Sequence, residues 1–340
     1  MHRRPGLGKV EVLLSVLILA VVAGLVLPAI MRTREAGSRS HCANNLKLLA
    51  LSIHNYNDAY GGKLPALVDQ GADTPTGNGI RSLFFIVLPY VEADYLYYVG
   101  TTQGPQGYNG PSSTLAFSGT LKGYAVQQWG GSANQSNYFF SDPSDQTAGL
   151  LRDVPMTLPD GSTGYYATGS YAANGMIPWN TGGLPRSFAD GTENTIMIAE
   201  RPQVCRTASG ETVYNLWGLG FYSPHMPAFA ALTPTDPPGL TSTGQVAPVE
   251  PLSARDRANE LLVRIGRQDA EPRPPDFATP VQMLRGAGAC DPRLPATPHR
   301  QGMQVAMADG SVRVMARTVS PWVFWAACTP AGGEELPGDW

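Results

Sequence analysis

The N-terminal part of the chain contains a long run of apolar positions that no charge interrupts. Twenty consecutive residues from Val12 to Met31 carry no charged side chain. At about 1.5 Å of rise per residue, a helix of this length spans ~30 Å, the thickness of the hydrocarbon core of a membrane. A cleaved secretory signal has a shorter apolar core that ends in small residues, whereas this run continues with Leu-Val-Leu at 25–27. The pattern predicts a retained transmembrane helix over residues 7–31.

The periodicity of the apolar positions changes directly after this segment. From residue 32 onward they recur at spacings of three and four, with charges between them, as in Leu46, Leu49, Ala50 and Ile53. This spacing places them on one face of a helix. We expect an amphipathic stalk helix over residues 32–62 that continues the transmembrane helix and ends at the glycine pair 61–62.

Residues 63–340 have the pattern of a strand-rich head domain. Apolar runs typical of strands occur at 82–87, 165–171 and 195–199, and a final helix is expected near 321–328. The 38 glycines and 30 prolines of the chain indicate many turns. A Pro-rich insertion over residues 223–298 has too few periodic apolar positions for a core, although a short helix is expected at 254–265. The predicted fold class is α+β, with the long N-terminal helix packed on an antiparallel β-sheet head.

The C-terminal part of the head carries a hairpin pattern that is preceded by a histidine. Apolar positions alternate on both sides of Asp309 and Gly310, and an Asp-Gly pair is typical of a two-residue type I′ turn. His299 lies just before the first strand of this hairpin. It could be a metal ligand or proton carrier paired with Asp309, but nine extended residues separate the two by ~30 Å. The favoured interpretation is structural, with His299 satisfied by other partners beside a turn that fixes the strand register.

A second candidate site lies before the run at 195–199. Asp190, Glu193 and Asn194 place several oxygen ligands on one tight turn, which could hold Ca²⁺. The spacing is not that of an EF-hand, and the same residues are typical of a bare turn before a strand. Glu200 ends this run and is either a further ligand or a buried polar group with a local partner. Calcium at this turn is the one cofactor that the sequence suggests.

Composition and missing motifs limit the class of function. The formal net charge is -3 at pH 7 and no basic face is concentrated in the chain, so we expect no nucleic-acid partner. The sequence patterns of serine hydrolases, HExxH metalloproteases, phosphate-binding loops and dinucleotide-binding folds do not occur. We therefore expect no catalytic residues and no enzymatic activity.

The chain has four cysteines, at positions 42, 205, 290 and 328. Four cysteines allow three full pairings, and the sequence does not select among them. If the head is exported, a bond between Cys205 and Cys290 is conceivable, because both lie in or beside the loop-rich insertion.

The only carboxylate near the start of the apolar run is Glu11, and its surroundings resemble a prepilin. A carboxylate costs roughly 2.5–3.5 kcal/mol at the centre of a bilayer, so it needs a partner. In prepilins a short basic leader ends in Gly, a membrane peptidase cuts after it, the new N-terminus is methylated, and Glu is fifth in the mature chain. The resemblance implies a leader over residues 1–6, a cut between Gly6 and Leu7, and prepilin peptidase as a partner. This chain departs from the pilin pattern after the cut, where Gly8 and Lys9 replace the usual Thr-Leu.

A second resemblance covers most of the chain. Six ordered blocks are similar to a bacterial family of unknown function, described as type II secretion major-pseudopilin-like transporters: 41–56, 88–92, 143–145, 170–175, 190–200 and 299–313. The family is marked by a C-terminal His, nine residues and Asp-Gly, which correspond here to His299, Asp309 and Gly310. It usually has Cys two residues before the Ser of a Pro-Ser-Asp block, and this chain has Asp142 there.

The two resemblances imply a function and a location. They imply a pilin-like fold and a membrane-anchored structural or accessory subunit of a pilus-like or type II secretion-like assembly. Other pilin-like subunits, or copies of the chain itself, would be partners through the N-terminal helix. The apolar run predicts a single pass through the membrane. Basic residues flank both ends of this segment, so the extracytoplasmic orientation of the head is implied by the resemblance alone.

An alternative function is a membrane-tethered extracytoplasmic module that binds a glycan or a small solute. Trp129, Trp179 and Trp217 lie in the aromatic, loop-rich body and could act as stacking platforms. The same tryptophans could instead belong to the core.

Overall fold

The computed structural model describes a large part of the chain, and all structural statements refer to that part. The described residues are 9–69, 81–93, 97, 142–145, 154–157, 163–166, 168–207, 210–220, 224–230, 282–283, 290–292, 294–334 and 336–337. The leader 1–6, the expected helix at 254–265 and most of the Pro-rich insertion lie outside them.

One helix, α1, dominates the N-terminal part of the structure. It extends without a break over Lys9–Ala59, 51 residues, and contains Pro28. Its N-terminal half exposes large apolar side chains, with Leu13 69% and Leu25 74% exposed. This half is long and apolar enough to cross a membrane. Gly61 and Gly62 follow with φ of 66° and 84°, left-handed backbone that glycine adopts without a steric penalty and that stops the helix.

The C-terminal half of α1 packs on the head. Leu46, Leu49, Ala50 and Ile53 are completely buried. They form one stripe because residues three and four apart lie on the same face of a helix. The predicted amphipathic half and its apolar face are therefore present, and they position α1 against the head domain.

The head contains thirteen short strands and two short helices among the described residues. The strands are β1 (Val68–Asp69), β2 (Arg81–Ser82), β3 (Val154–Thr157), β4 (Thr163–Tyr166), β5 (Tyr171–Asn174), β6 (Ile196–Glu200), β7 (Val204–Arg206), β8 (Thr212–Tyr214), β9 (Ala228–Phe229), β10 (Gln282–Met283), β11 (Ala296–Thr297), β12 (Met303–Met307) and β13 (Val312–Met315). The helices are α2 (Leu83–Ile86) and α3 (Pro321–Cys328), and a 3₁₀ helix covers Leu88–Val91. The final helix was expected at the position of α3.

The central sheet has five strands in the order β13-β12-β6-β5-β9. Its neighbours are antiparallel except for β5 and β9, which are parallel. The fold is α+β as predicted, but the sheet is mixed rather than fully antiparallel. The four other pairs are β1-β2, β3-β4, β7-β8 and β10-β11.

Helices cover both faces of this sheet. Met303, Val305 and Met307 of β12 share a buried cluster with Phe324 of α3. The intervening residue Gln304 faces the other way, because successive side chains of a strand point to opposite faces, and its Nε2 donates to the carbonyl of Arg39 in α1. Strand β12 therefore separates α1 from α3.

The run at 82–87 was predicted as a strand, and this prediction is wrong for most of it. Only Ser82 belongs to a strand, and Leu83–Ile86 form α2. The Ser82 hydroxyl accepts a hydrogen bond from Phe85 N at 3.2 Å, which caps the helix. A short apolar run buried on all sides has no periodicity that distinguishes a strand from a helix.

The predicted hairpin is present as β12 and β13, but its turn differs from the prediction. Ala306 pairs with Val312, and Met307 N donates to Ser311 O at 2.8 Å, which leaves a loop of residues 308–310. Gly310 has φ of 81°, whereas Asp309 has no positive φ. A type I′ turn needs positive φ at both central residues, so the loop is a longer one with a single left-handed glycine.

The disulfide in the structure joins the two cysteines for which the sequence suggested a bond. Cys205 in β7 and Cys290 form a disulfide across 85 residues of chain. Cys42 and Cys328 are free and buried.

Candidate functional site

His299 lies at the centre of a buried group of ionisable side chains. Its imidazole has no exposed surface. Nδ1 lies 3.1 Å from Oε1 of Glu35, and Nε2 lies 3.4 Å from Oδ2 of Asp142 and 3.7 Å from Oε1 of Glu200. The partners of His299 are thus three carboxylates from distant parts of the chain.

Four separate segments supply these side chains. Helix α1 contributes Glu35 and, two turns further on, Cys42. The loop 142–145 contributes Asp142, whose Oδ1 accepts a hydrogen bond from Ser144 N at 2.7 Å and so closes a short turn. Strand β6 ends with Glu200, and His299 lies two residues after the end of β11.

The strand register explains why Glu200 faces the helix. Ala199 pairs with Val305, so the next pair is Glu200 with Gln304, and Gln304 N donates to Oε2 of Glu200 at 3.3 Å. Because Gln304 points towards α1, Glu200 points there as well. A hydrogen bond from His299 N to Oγ1 of Thr297 at 3.0 Å holds the histidine backbone beside them.

Four of these residues could together hold a metal ion. The ligand atoms of Cys42, Asp142, Glu200 and His299 all lie within 4.8 Å of one another, and all four residues are buried. Sulfur, imidazole nitrogen and carboxylate oxygen are the donors that proteins use for transition metals. We call these four residues the buried donor cluster.

The electrostatics of the cluster follow from burial and from the crowding of acids. Burial, followed by the negative charge of Asp142, raises the pKa of Glu200 to about 8. Burial and Asp142 also raise the pKa of the Cys42 thiol. For His299, burial opposes the charged form, but Asp142 and Glu200 outweigh it and raise the pKa of the imidazole to about 9. The cluster therefore favours positive charge at its centre.

Three atoms of the cluster lack hydrogen-bond partners among the described residues. They are Oδ2 of Asp142, Oε1 of Glu200 and Nε2 of His299, and each is buried. Buried polar atoms in folded proteins are almost always hydrogen-bonded, so three such atoms that face one another call for an explanation.

Asp309 and Gly310, the other two residues of the family signature, lie at the hairpin turn and not beside His299. Asp309 Oδ1 accepts from Ser311 N at 2.7 Å, and the carbonyl of Gly310 accepts from Lys47 Nζ at 2.7 Å. The carbonyl of Ala308 lies 3.0 Å from Nε2 of His54. Lys47 and His54 belong to α1, so the turn of the hairpin docks on the stalk helix while His299 lies at the other end of β12.

At the acidic turn before β6, the side chains of Asp190 and Asn194 form hydrogen bonds with other groups of the protein. The two carboxylate oxygens of Asp190 accept hydrogen bonds from Gly333 N at 3.0 Å and Gly332 N at 2.7 Å. Asn194 Nδ2 donates to the carbonyl of Asp190 at 2.8 Å, and Glu193 is exposed. The turn thus ties the C-terminal segment to the strand, and calcium binding at it stays a prediction.

The proposed processing site lies at the edge of the described chain. Gly6 and Leu7 are outside the described residues, and Glu11 is described only as part of the backbone of α1.

The sequence pointed to only part of the cluster. The sequence singled out His299. It also suggested Glu200 as a ligand, although of the turn at 190–194 and not of a site with His299. Asp142 was visible as a departure from a family pattern. Glu35, which contacts His299 from outside the cluster, carried no signal beyond its charge. The long separations in the chain, 264 residues between Glu35 and His299, explain why no local pattern joins them.

Fold and site define an α+β protein with one membrane-length N-terminal helix and a buried donor cluster between that helix and the sheet. A family model described as proteins of unknown function (DUF1559) matches residues 31–321, and the chain belongs to this family. All the residues around His299 lie within the matched region. Neither the curated proteins nor the solved structures contain a significant match to the chain.

Proposed function

We propose that the chain is a pseudopilin-like, membrane-anchored structural or accessory subunit of a pilus-like or type II secretion-like assembly. The observation that carries the proposal is the division of α1 into two halves of opposite character. The first half exposes apolar side chains on all sides, and the second half is buried against the sheet. A single continuous helix thus joins an apolar anchor to a folded head.

An apolar surface that surrounds a helix needs an apolar environment. Val10, Leu17, Leu19 and Leu25 are between 61% and 77% exposed. At about 25 cal/mol per Å², exposure of so many large side chains to water is unfavourable, so a membrane or a bundle of like helices should cover them. A subunit that moves from the membrane into a filament core would have these side chains covered in both places.

The disulfide supports an extracytoplasmic head. Disulfides persist in oxidising compartments and are rare in the cytosol of most organisms. Cys205 and Cys290 are bonded in the head. The head would therefore lie on the outer side of the membrane that α1 spans.

In the proposed mechanism, prepilin peptidase cuts between Gly6 and Leu7 and the apolar halves of neighbouring subunits pack together. Glu11 of one subunit then pairs with the N-terminal amine of the next. Such a pair is favoured because opposite charges attract more strongly in a medium of low dielectric constant.

The alternative, a tethered module for a glycan or solute, has less support. Trp179 and Trp217 are 7% and 3% exposed and belong to the main hydrophobic cluster. Trp179 Nε1 donates to the carbonyl of Asn174 at 2.7 Å. Trp129 lies outside the described residues. Neither described tryptophan offers an open face for stacking, so the structural role is preferred.

The proposal is tested by charge reversal at the anchor. In cells that carry the assembly, Glu11→Lys should abolish incorporation of the chain into filaments while membrane insertion continues. Glu211→Lys, a matched reversal at an exposed position of the head, should leave incorporation unchanged. Intact-mass analysis of the native chain should show loss of residues 1–6 and an added methyl group. Incorporation of Glu11→Lys at the wild-type level would overturn the assembly role.

A further inference from the structure

We propose that the buried donor cluster of Cys42, Asp142, Glu200 and His299 is a structural metal site of the zinc type that fastens the stalk half of α1 to the head sheet. This inference concerns a binding site, which the assembly role does not include. It can be tested independently, because metal binding can be measured on the isolated chain.

The spacing of the ligand atoms is close to that of a four-coordinate site. Zinc bonds of about 2.0–2.3 Å place tetrahedral ligand atoms about 3.3–3.8 Å apart. The ligand atoms of the cluster lie within 4.8 Å of one another. A contraction of roughly 1 Å, which side-chain rotation can supply, would therefore bring the donors to the distances that zinc requires.

The buried atoms without hydrogen-bond partners provide a second, independent observation. The side chains of His299, Asp142 and Glu200 are 0–1% exposed, and each turns an atom without a hydrogen-bond partner towards the others. Carboxylate oxygens that face each other and an imidazole nitrogen are satisfied together by one cation at their centre. A metal ion placed there would bind all three atoms at once.

The contact with Glu35 prepares the histidine for this role. When His299 donates the Nδ1 hydrogen to Oε1 of Glu35 at 3.1 Å, the lone pair of Nε2 is directed towards Asp142 and Glu200. Histidine ligands of zinc commonly donate their other ring nitrogen to a carboxylate, which fixes the tautomer and the ring orientation. Glu35 is accordingly a positioning residue.

The donor set selects the class of metal. Calcium and magnesium prefer oxygen ligands alone, whereas a thiolate and an imidazole favour zinc and its neighbours in the transition series. All four ligands come from the protein and all are buried, which is typical of closed structural sites. We therefore infer a structural role.

The position of the site gives the metal a mechanical consequence. Cys42 lies on α1, Glu200 ends β6, and His299 follows β11. A metal bound to all of them would cross-link the stalk helix to the sheet. Because Cys42 is well beyond the apolar segment 12–31, the link between the stalk helix and the sheet would lie outside the membrane.

The experiment uses the full chain, purified in detergent and stripped with EDTA. Isothermal titration calorimetry with zinc should show one equivalent bound. Thermal unfolding of the zinc-loaded chain should then occur at a higher temperature than that of the stripped chain. Titration with Co²⁺ should produce a thiolate-to-cobalt charge-transfer band. Cys42→Ser should abolish that band and weaken zinc binding by more than the roughly 10- to 100-fold that loss of a ligand's hydrogen-bond partner costs. Cys328→Ser, which removes the other buried free thiol, should change neither.

The contrary results are equally specific. Failure of the wild-type chain to bind stoichiometric zinc would overturn the proposal, as would a cobalt band that persists in Cys42→Ser. If Cys42→Ser does not fold, the wild-type chain still decides: bound cobalt without a thiolate band would exclude Cys42 as a ligand. The readouts do not depend on filament assembly, so failure of one proposal leaves the other standing.

Discussion

His299 Nδ1 lies 3.1 Å from Oε1 of Glu35, although 264 residues separate the two in the chain. The contact joins the stalk helix to the segment after β11 and brings a partly exposed carboxylate, 33% exposed, to a histidine that is fully buried. It is the link through which the helix orients the imidazole towards the rest of the cluster.

Removal of this carboxylate should weaken the metal site without removing a ligand. We expect Glu35→Ala to lower zinc affinity by roughly 10- to 100-fold, the usual effect of losing a hydrogen-bond partner of a ligand. Glu35→Gln keeps an oxygen acceptor and should restore most of the affinity. Zinc titration of the two variants and the wild-type chain measures the difference. Equal affinities in Glu35→Ala and wild type would exclude a positioning role.

Gly310 should be the residue of the hairpin turn that tolerates replacement least. Its φ is 81°, and a Cβ would lie 3.5 Å from Nε2 of His54, an ordinary contact. The cost of Gly310→Ala is therefore conformational, about 1–2 kcal/mol of unfolding free energy. Gly310→Asn should cost less, because Asn adopts left-handed backbone more readily. Urea denaturation measures the unfolding free energy of both variants. A larger loss of unfolding free energy in Gly310→Asn than in Gly310→Ala would contradict the prediction.

Elements with a local pattern could be predicted from the sequence. The stripe from Leu46 to Ile53 predicted the buried face of α1, and the alternation around Asp309 and Gly310 predicted β12 and β13. The type of turn could not be predicted, because an Asp-Gly pair fits more than one loop length. The run at 82–87 was assigned to a strand because burial on all sides removes periodicity.

The buried donor cluster could be predicted only in fragments. A histidine before a hairpin and a glutamate at the end of an apolar strand are visible in the sequence, and each was considered a ligand. Their meeting with Cys42 and Asp142 depends on the register of β6 with β12 and on the docking of α1. These are long-range relations that a single sequence does not encode as a local pattern.

The cysteines should react in an order that the structure defines. Cys42 and Cys328 are 0% exposed, and burial raises the pKa of both thiols, so neither should be alkylated in the folded chain. Denaturation without reductant should expose these two, and reduction should add Cys205 and Cys290. Mass spectrometry after alkylation counts the labels. Labelling of Cys328 in the native chain would contradict its buried position.

His225 should make the head less stable in mild acid. Nδ1 of His225 accepts a hydrogen bond from Tyr214 N at 3.0 Å, which the protonated ring cannot do. Burial, followed by the positive charge of Arg201, lowers the pKa of His225. The unfolded chain, with an ordinary histidine pKa of about 6.5, then binds more protons below that pH than the folded chain. The stability contributed by neutral His225 is thus complete above about pH 6.5 and decreases as the pH falls towards the lower folded value.

The variant His225→Gln isolates this effect. Between about pH 7 and about pH 5, the wild-type chain should lose more unfolding free energy than the variant, because the other titrating groups are common to both. Denaturant titrations at the two pH values provide the comparison. Equal losses in the two chains would show that His225 does not contribute.

Replacement of Asp142 by cysteine should exchange the proposed metal link for a covalent one. The thiol of Cys42 and the carboxylate of Asp142 lie within 4.8 Å of each other, so a thiol at position 142 would lie close to Cys42. We expect Asp142→Cys to form a disulfide with Cys42 under oxidising conditions and to lose zinc binding. The unfolding temperature without metal should then exceed that of the metal-free wild-type chain, because a cross-link lowers the entropy of the unfolded chain.

Asp142→Ser is the matched control for this exchange, because it removes the same ligand and introduces no second thiol. It should lose zinc binding and have no added stability. In the oxidised cysteine variant, alkylation after denaturation should label Cys328 alone, whereas in the serine variant it should label Cys42 as well. If the cysteine variant forms the disulfide but is no more stable than the serine variant, a link between α1 and the head at this point does not stabilise the fold, and the fastening role proposed for the metal is wrong.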